Sequence, residues 1–307
     1  MTSFSRTQAI GRGRASKRPE RRIAAMLVAL WSLVVFPAHA GDGLTWDSIV
    51  DGLSITTWAT NVGCAEDVST VIVRVDPEFF TFSVYHFRDE GFSTPLPLVD
   101  WQRHTNAALI FNAGLFLHDF SYMGLLYKDG RALSRRPHAH WQGLFVAEPV
   151  EAGMRRARIL DLSVDTFPDE PLSYREAAQA LMVLDRRGQV RVRNSGKRAQ
   201  QTLVAEDAKG YIYVLKTVTG ASLYGLAECI RATLPWLRQI MAMDGGSSSD
   251  LLIGANTLQE AGKHAVGVPW RSIVDGTAPA THIPLPAVIG VVPRAGSQAA
   301  PRAGRRP

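Results

Sequence analysis

Through much of the chain, apolar and β-branched residues alternate with polar ones or gather in short blocks, the two patterns that strands produce. Segments 50–58 and 69–76 read as strands, Pro77-Glu78 as a turn, and 79–87 as the returning strand of an opening β-meander. Segment 98–104 reads as a short helix or turn, and 107–111 as a short strand leading into Asn112. Strand 124–128 turns at Asp129-Gly130 into 131–133, and 142–146 is a further strand. Segment 152–162 fits strand or loop, 174–181 fits a helix, and 186–197 a loop or exposed hairpin. Strands 202–206 and 211–217 flank Ala208-Lys209-Gly210 as a hairpin. Leu223, Leu226, Ala227, Ile230 and Leu234 recur at helical spacing until Pro235 stops them, giving an amphipathic helix. Strands 239–243 and 281–292 close the pattern. Strands outnumber helices without repeating helix–strand alternation. The expectation is therefore an α+β single domain, a mixed and largely antiparallel sheet packed by helices.

The first 22 residues carry seven Lys/Arg and one Glu, 23–36 is almost wholly apolar, and Ala38-His39-Ala40 follows. That order predicts a secretory signal peptide over 1–40, with a domain over 41–293 and a disordered basic tail over 294–307. The apolar run is shorter than the ~20 residues a spanning helix needs, so no stable membrane span is expected once the signal is removed. The chain's formal charge is +6, and the leader alone contributes that much, which leaves the remainder near neutral. Nothing in the charge balance points to nucleic acid. An oxidising compartment permits a disulfide between Cys64 and Cys229, and two buried thiols fit the sequence equally well.

Two turns concentrate polar chemistry. The run Gln239 to Met243 ends on Asp244-Gly245-Gly246-Ser247-Ser248-Ser249-Asp250, a carboxylate followed by glycines and hydroxyls. Successive free N–H groups in such a turn can cradle an anion. The earlier turn is Phe111-Asn112-Ala113-Gly114-Leu115-Phe116. His138 and His140 form an HxH pair without an evident third ligand, and His118 follows the Asn112 turn. Trp101, Trp141 and Trp270 are candidates for sugar stacking or for the core.

These two turns, together with Gly124-Leu125 and Asp129-Gly130, resemble the phosphodiester glycosidase domain family, in particular its small secreted bacterial branch. The similarity spans roughly 107–252 in patches, and Leu115 replaces the aromatic or methionine more usual at its position. The resemblance implies a secreted hydrolase that cleaves the anomeric bond of sugar-1-phosphodiesters, acting on a sugar phosphate or an envelope glycopolymer. It assigns catalysis to Asp244 and Asn112, and substrate or phosphate binding to Gly114, Arg198, Gly245, Gly246, Ser247 and Ser248. Asp250 and Glu206 are candidate second carboxylates. No cofactor or metal follows from it. An exported carbohydrate-binding protein without turnover is the alternative.

Overall fold

Every strand ladder among the described residues is antiparallel. They form a sheet of eleven strands, one of four and a short pair. The structure is a computed structural model that describes residues 43–60, 64, 67–167, 173–261, 270–277 and 283–295. The expected leader and nearly all of the expected tail lie outside those residues. Strand accounts for 42% and helix for 14%. The fold is therefore mainly β, which corrects the α+β expectation and its mixed sheet.

The largest single source of that error is Tyr174–Leu184, whose Glu-, Ala- and Leu-rich sequence suits a helix in its first half. It is instead an eleven-residue strand at the centre of the large sheet, paired with Gly143–Pro149, Leu126–Lys128 and Leu237–Ala242. Small alanine side chains let other layers close on both faces, so packing overrides helical propensity. The opening also departs from a simple meander. Asp47–Val50, Leu53–Ala59 and Ser69–Val75 pair in succession. Phe80–His86 then leaves them and joins the four-stranded sheet beside Ala287–Pro293.

The two sheets stack face to face, and side-chain alternation sorts each strand between layers. Val71, Val73 and Val75 point into the shared core with Phe82, Phe111 and Ile289. Ile72, on the opposite face, packs with Leu226, Ala227 and Ile230 of the helix Leu223–Thr233. That helix is capped by Ser222, whose hydroxyl accepts from Gly225 N–H at 3.0 Å. The helix Leu98–Thr105 covers the outer face of the small sheet through Leu98 and Trp101. Phe80–His86 is an edge strand, and carboxylates from the large sheet satisfy its free amides. Glu148 accepts from Phe82 N–H at 3.3 Å, and Glu176 from Val84 N–H at 2.7 Å.

Cys64 and Cys229 are joined in a disulfide, with Cα atoms 5.2 Å apart. It ties the segment after the second strand to the helix Leu223–Thr233. No helix among the described residues is long and apolar enough to cross a membrane. Arg294, the first residue of the expected tail, is held to the domain. Its backbone N–H donates to Phe79 O at 2.8 Å, and its guanidinium pairs with Glu148 at 3.0 Å.

Candidate active site

Strand pairing brings the two polar turns together. In the small sheet, Leu251–Ile253 pairs with Leu109–Asn112, so both Asp250 and Asn112 sit at the same rim. In the large sheet, Leu237–Ala242 runs out to Met243 and Asp244. The chain between Asp244 and Asp250 therefore bridges one sheet to the other, and Asn112 clasps that bridge. Its side-chain amide donates to Asp244 O at 2.8 Å and to Ala113 O at 3.1 Å. Its Oδ1 accepts from Asp250 N–H at 3.0 Å, while Asn112 N–H donates to Asp250 O at 3.2 Å. Asp244 N–H completes the clasp by donating to Ala113 O at 3.1 Å. Asn112 is buried, so its expected hydrogen-bonding capacity goes to the loop backbone.

The carboxyl of Asp244 is half-buried. Burial raises its pKa above the ordinary aspartate value, and hydrogen bonds from the Ser248 hydroxyl and the Gly245 N–H oppose that rise. A carboxyl so placed can exchange a proton nearer neutral pH than a surface aspartate can. Gly246 adopts φ +68°, the left-handed region that glycine tolerates, and starts a short 3-10 turn through Ser248. Its N–H donates to Gln200 O at 2.8 Å. Ser247 is exposed at the crest of the turn, and Ser248 is buried beneath it.

Gly114 is packed against the same clasp. Its N–H donates to the Tyr122 hydroxyl at 3.0 Å, and that hydroxyl donates to Gln179 O at 2.8 Å. Burial raises the Tyr122 pKa further from neutrality, with a smaller contribution from the nearby Asp244 charge. Tyr122 is therefore a neutral hydrogen-bonding pivot. Gln179, on the long central strand, also accepts from Leu125 N–H at 2.9 Å and from His138 N–H at 3.0 Å. This couples the Gly124-Leu125 patch to the Asn112 turn.

Other candidates fall elsewhere. Arg198 is exposed, donates to Gly220 O at 2.8 Å, and lines a cleft of about 430 Å³ with Asn194, Tyr224, Glu228 and the disulfide. The Asp244 turn does not line that cleft. Glu206 pairs with Gln239, while Leu203 pairs with Ala242. Gln239 lies five residues before Asp244, so roughly 16 Å of chain separates Glu206 from that end. Its buried carboxylate accepts from Ile159 N–H at 2.8 Å. Asp250 accepts from Leu251 N–H at 2.9 Å on the inner side of the loop. His118 is exposed. The His138 ring stacks on Trp141 at 4.0 Å and stands 6.0 Å from His140. No group of three or more metal-ligating side chains converges among the described residues. Trp101 and Trp270 are core residues.

The sequence reading passed over Lys216, Thr202, Tyr122 and Gln179. Lys216 carried a usable signal, a lone charge inside the apolar strand Ile212–Thr217. Its Nζ donates to Ser249 O at 2.6 Å, and Thr202 shares a 2.9 Å hydrogen bond with the Ser249 hydroxyl.

Among solved structures the chain is similar to a hypothetical protein from Synechocystis, with TM-score 0.57 and 13% identity over 82% of this chain. It spans 64% of that protein's length. It is also similar to the catalytic domain of zebrafish N-acetylglucosamine-1-phosphodiester α-N-acetylglucosaminidase, auto-inhibited by its pro-peptide. There the TM-score is 0.55 at 13% identity, over 79% of this chain and 82% of that one. At such identity the likeness is one of fold. No protein-family profile and no curated sequence matches the chain.

Proposed function

We propose that this protein is an exported hydrolase that cleaves the anomeric bond of sugar-1-phosphodiesters, with Asp244 as its reacting carboxylate. The observation that carries the reading is the clasp between the two polar turns. Asn112 fixes Asp244 at a sheet rim, beside a glycine-serine loop and still open to solvent. The chemistry suits that arrangement. Phosphate is a good leaving group, so the protein's main tasks are to stabilise an oxocarbenium-like centre or activate water, and to hold the phosphate. Asp244 serves the first task. Ser247, exposed at the crest of the turn, serves the second with its hydroxyl, while Gly245, Gly246 and Ser248 shape the turn that presents it, and Asn112 and Gly114 keep the loop in place. The shared fold with a phosphodiester glycosidase domain supports the reading at the level of architecture. The disulfide fits an oxidising, extracytoplasmic location. Arg198 lines the neighbouring cleft and would contact the part of the substrate beyond the phosphate.

The test is incubation of the mature protein with a panel of sugar-1-phosphodiesters and detection of released reducing sugar. Release is expected for the wild type. Asp244→Asn should reduce it by at least about 10³-fold, while thermal unfolding and ligand affinity change little. Ligand retention without any free sugar across the panel would replace the hydrolase reading with a carbohydrate-binding one.

A further inference from the structure

The Asp244–Asp250 loop presents an anionic phosphodiester with the half-exposed Asp244 carboxyl, keeps Asp250 buried on its inner side, and contains no Lys or Arg. Left so, it would repel the group it is read as holding. The missing positive charge lies directly beneath. Lys216 is 7% exposed, sits opposite Thr202 in the hairpin ladder, and donates to Ser249 O at 2.6 Å. Its Nζ is also 3.5 Å from the Ser249 hydroxyl, which in turn bonds Thr202 at 2.9 Å. Ser249 follows Ser248, the residue whose hydroxyl bonds the Asp244 carboxylate. Burial holds the Lys216 pKa below the ordinary lysine value, and the smaller opposing effect of the Asp250 charge favours the ammonium. Burying an ammonium is costly even with Ser249 O and Asp250 as partners, and a methionine of similar length would fill the space without that cost. The charge therefore has a use.

We propose that Lys216 is the buried cation that gives the Asp244–Asp250 loop its affinity for phosphate, acting through the loop without touching the substrate. It is a positioning residue in two senses. Its ammonium draws the Ser249 carbonyl inward, which sets the loop's outer face. Its charge also offsets the carboxylates and leaves the turn attractive to an anion. Burial limits the screening of that charge by water, so its influence extends through the loop to an anion on the outer face. The inference rests on the hydrolase reading for the identity of the anion, and its test needs no turnover.

Binding of inorganic phosphate to the full-length protein is measured by calorimetry for wild type, Lys216→Met and Thr202→Val. Thr202→Val removes a partner of Ser249 and keeps the charge, so it reports what loosening the loop alone does. Lys216→Met is expected to weaken phosphate binding by roughly 10-fold or more. Thr202→Val should stay within about twofold of wild type despite its own loss of thermal stability. Equal losses in both variants, or undiminished affinity in Lys216→Met, would overturn the proposal. Should Lys216→Met not fold, the wild type labelled with ¹⁵N at lysine Nζ provides the readout. The Lys216 resonance should shift on phosphate addition along the same saturation curve as the Ser247 and Ser248 amides. A Lys216 signal that does not respond sinks the idea. Sugar release with a phosphate affinity indifferent to Lys216 would remove this inference and leave the hydrolase reading standing. Phosphate binding through Lys216 without turnover would do the reverse.

Discussion

Replacing Gly114 by alanine would press a methyl group into space that two oxygen atoms already fill. A Cβ built there meets the Tyr122 hydroxyl oxygen at 2.4 Å, Gln179 O at 2.7 Å and Tyr122 Cζ at 3.1 Å. The first contact could be relieved only by moving a tyrosine that is itself 7% exposed. The second involves the backbone of the central strand Tyr174–Leu184, which is paired along both edges and cannot yield. Overpacking of this kind costs about 1–3 kcal/mol. Displacing the tyrosine also breaks the bonds from Gly114 N–H and to Gln179 O, each worth about 1–3 kcal/mol when a buried partner is left unsatisfied. The sum is about 3–9 kcal/mol, a large part of a typical domain's stability. Urea unfolding followed by tryptophan fluorescence measures it directly. Tyr122→Phe provides the second arm, because it removes the oxygen at 2.4 Å but leaves Gln179 O in place. The double variant should therefore be less destabilised than the sum of the singles, by about 1 kcal/mol or more. A Gly114→Ala protein within about 0.5 kcal/mol of wild type, or strict additivity with Tyr122→Phe, would refute the packing argument.

Burial lifts the Glu176 carboxyl from 4.5 to about 7, against the pull of the Val84 and Asp129 N–H groups. The folded state then binds that proton more tightly than the unfolded chain, so the contribution is complete below about pH 4.5 and lost as pH rises through about 7. It amounts to about 3 kcal/mol, and Glu176→Gln should flatten that part of the curve of urea midpoint against pH. A variant whose slope matches wild type between those limits contradicts the assignment. The disulfide closes a loop across 165 residues. Replacing both cysteines by serine should cost about 2–5 kcal/mol, read as a lower Tm that no longer responds to reductant. Unchanged thermal stability in the double-serine variant would show that the bond constrains little.

Local pattern was sufficient where a segment's neighbours in space are also its neighbours in sequence. The hairpin Thr202–Asp207 with Ile212–Thr217 and the helix Leu223–Thr233 ended by Pro235 follow from periodicity and turn residues, whereas pattern left Leu98–Thr105 open between helix and turn. The candidate carboxylate was legible for the same reason, since Asp244 and the glycines after it are contiguous. Other features depended on partners 25 or more residues away. Tyr174–Leu184 has a composition that serves helix or strand, and only the ladders to Gly143–Pro149 and Leu237–Ala242 decide between them. Phe80–His86 looks like the return of a meander, yet pairing with Ala287–Pro293 carries it into the other sheet. Asn112 was visible as a turn residue, but its grip on Asp244 and Asp250 spans more than 130 positions. Lys216 is the sharpest case. Sequence shows a lysine in a strand, and burial under Ser249 makes it a charge beneath a candidate anion site. The chain alone specifies faces, turns and reactive groups, because these depend on bonds and side chains a few residues apart. Which faces meet, and which groups are thereby desolvated or joined, is settled by long-range strand register, and only the tertiary structure contains that.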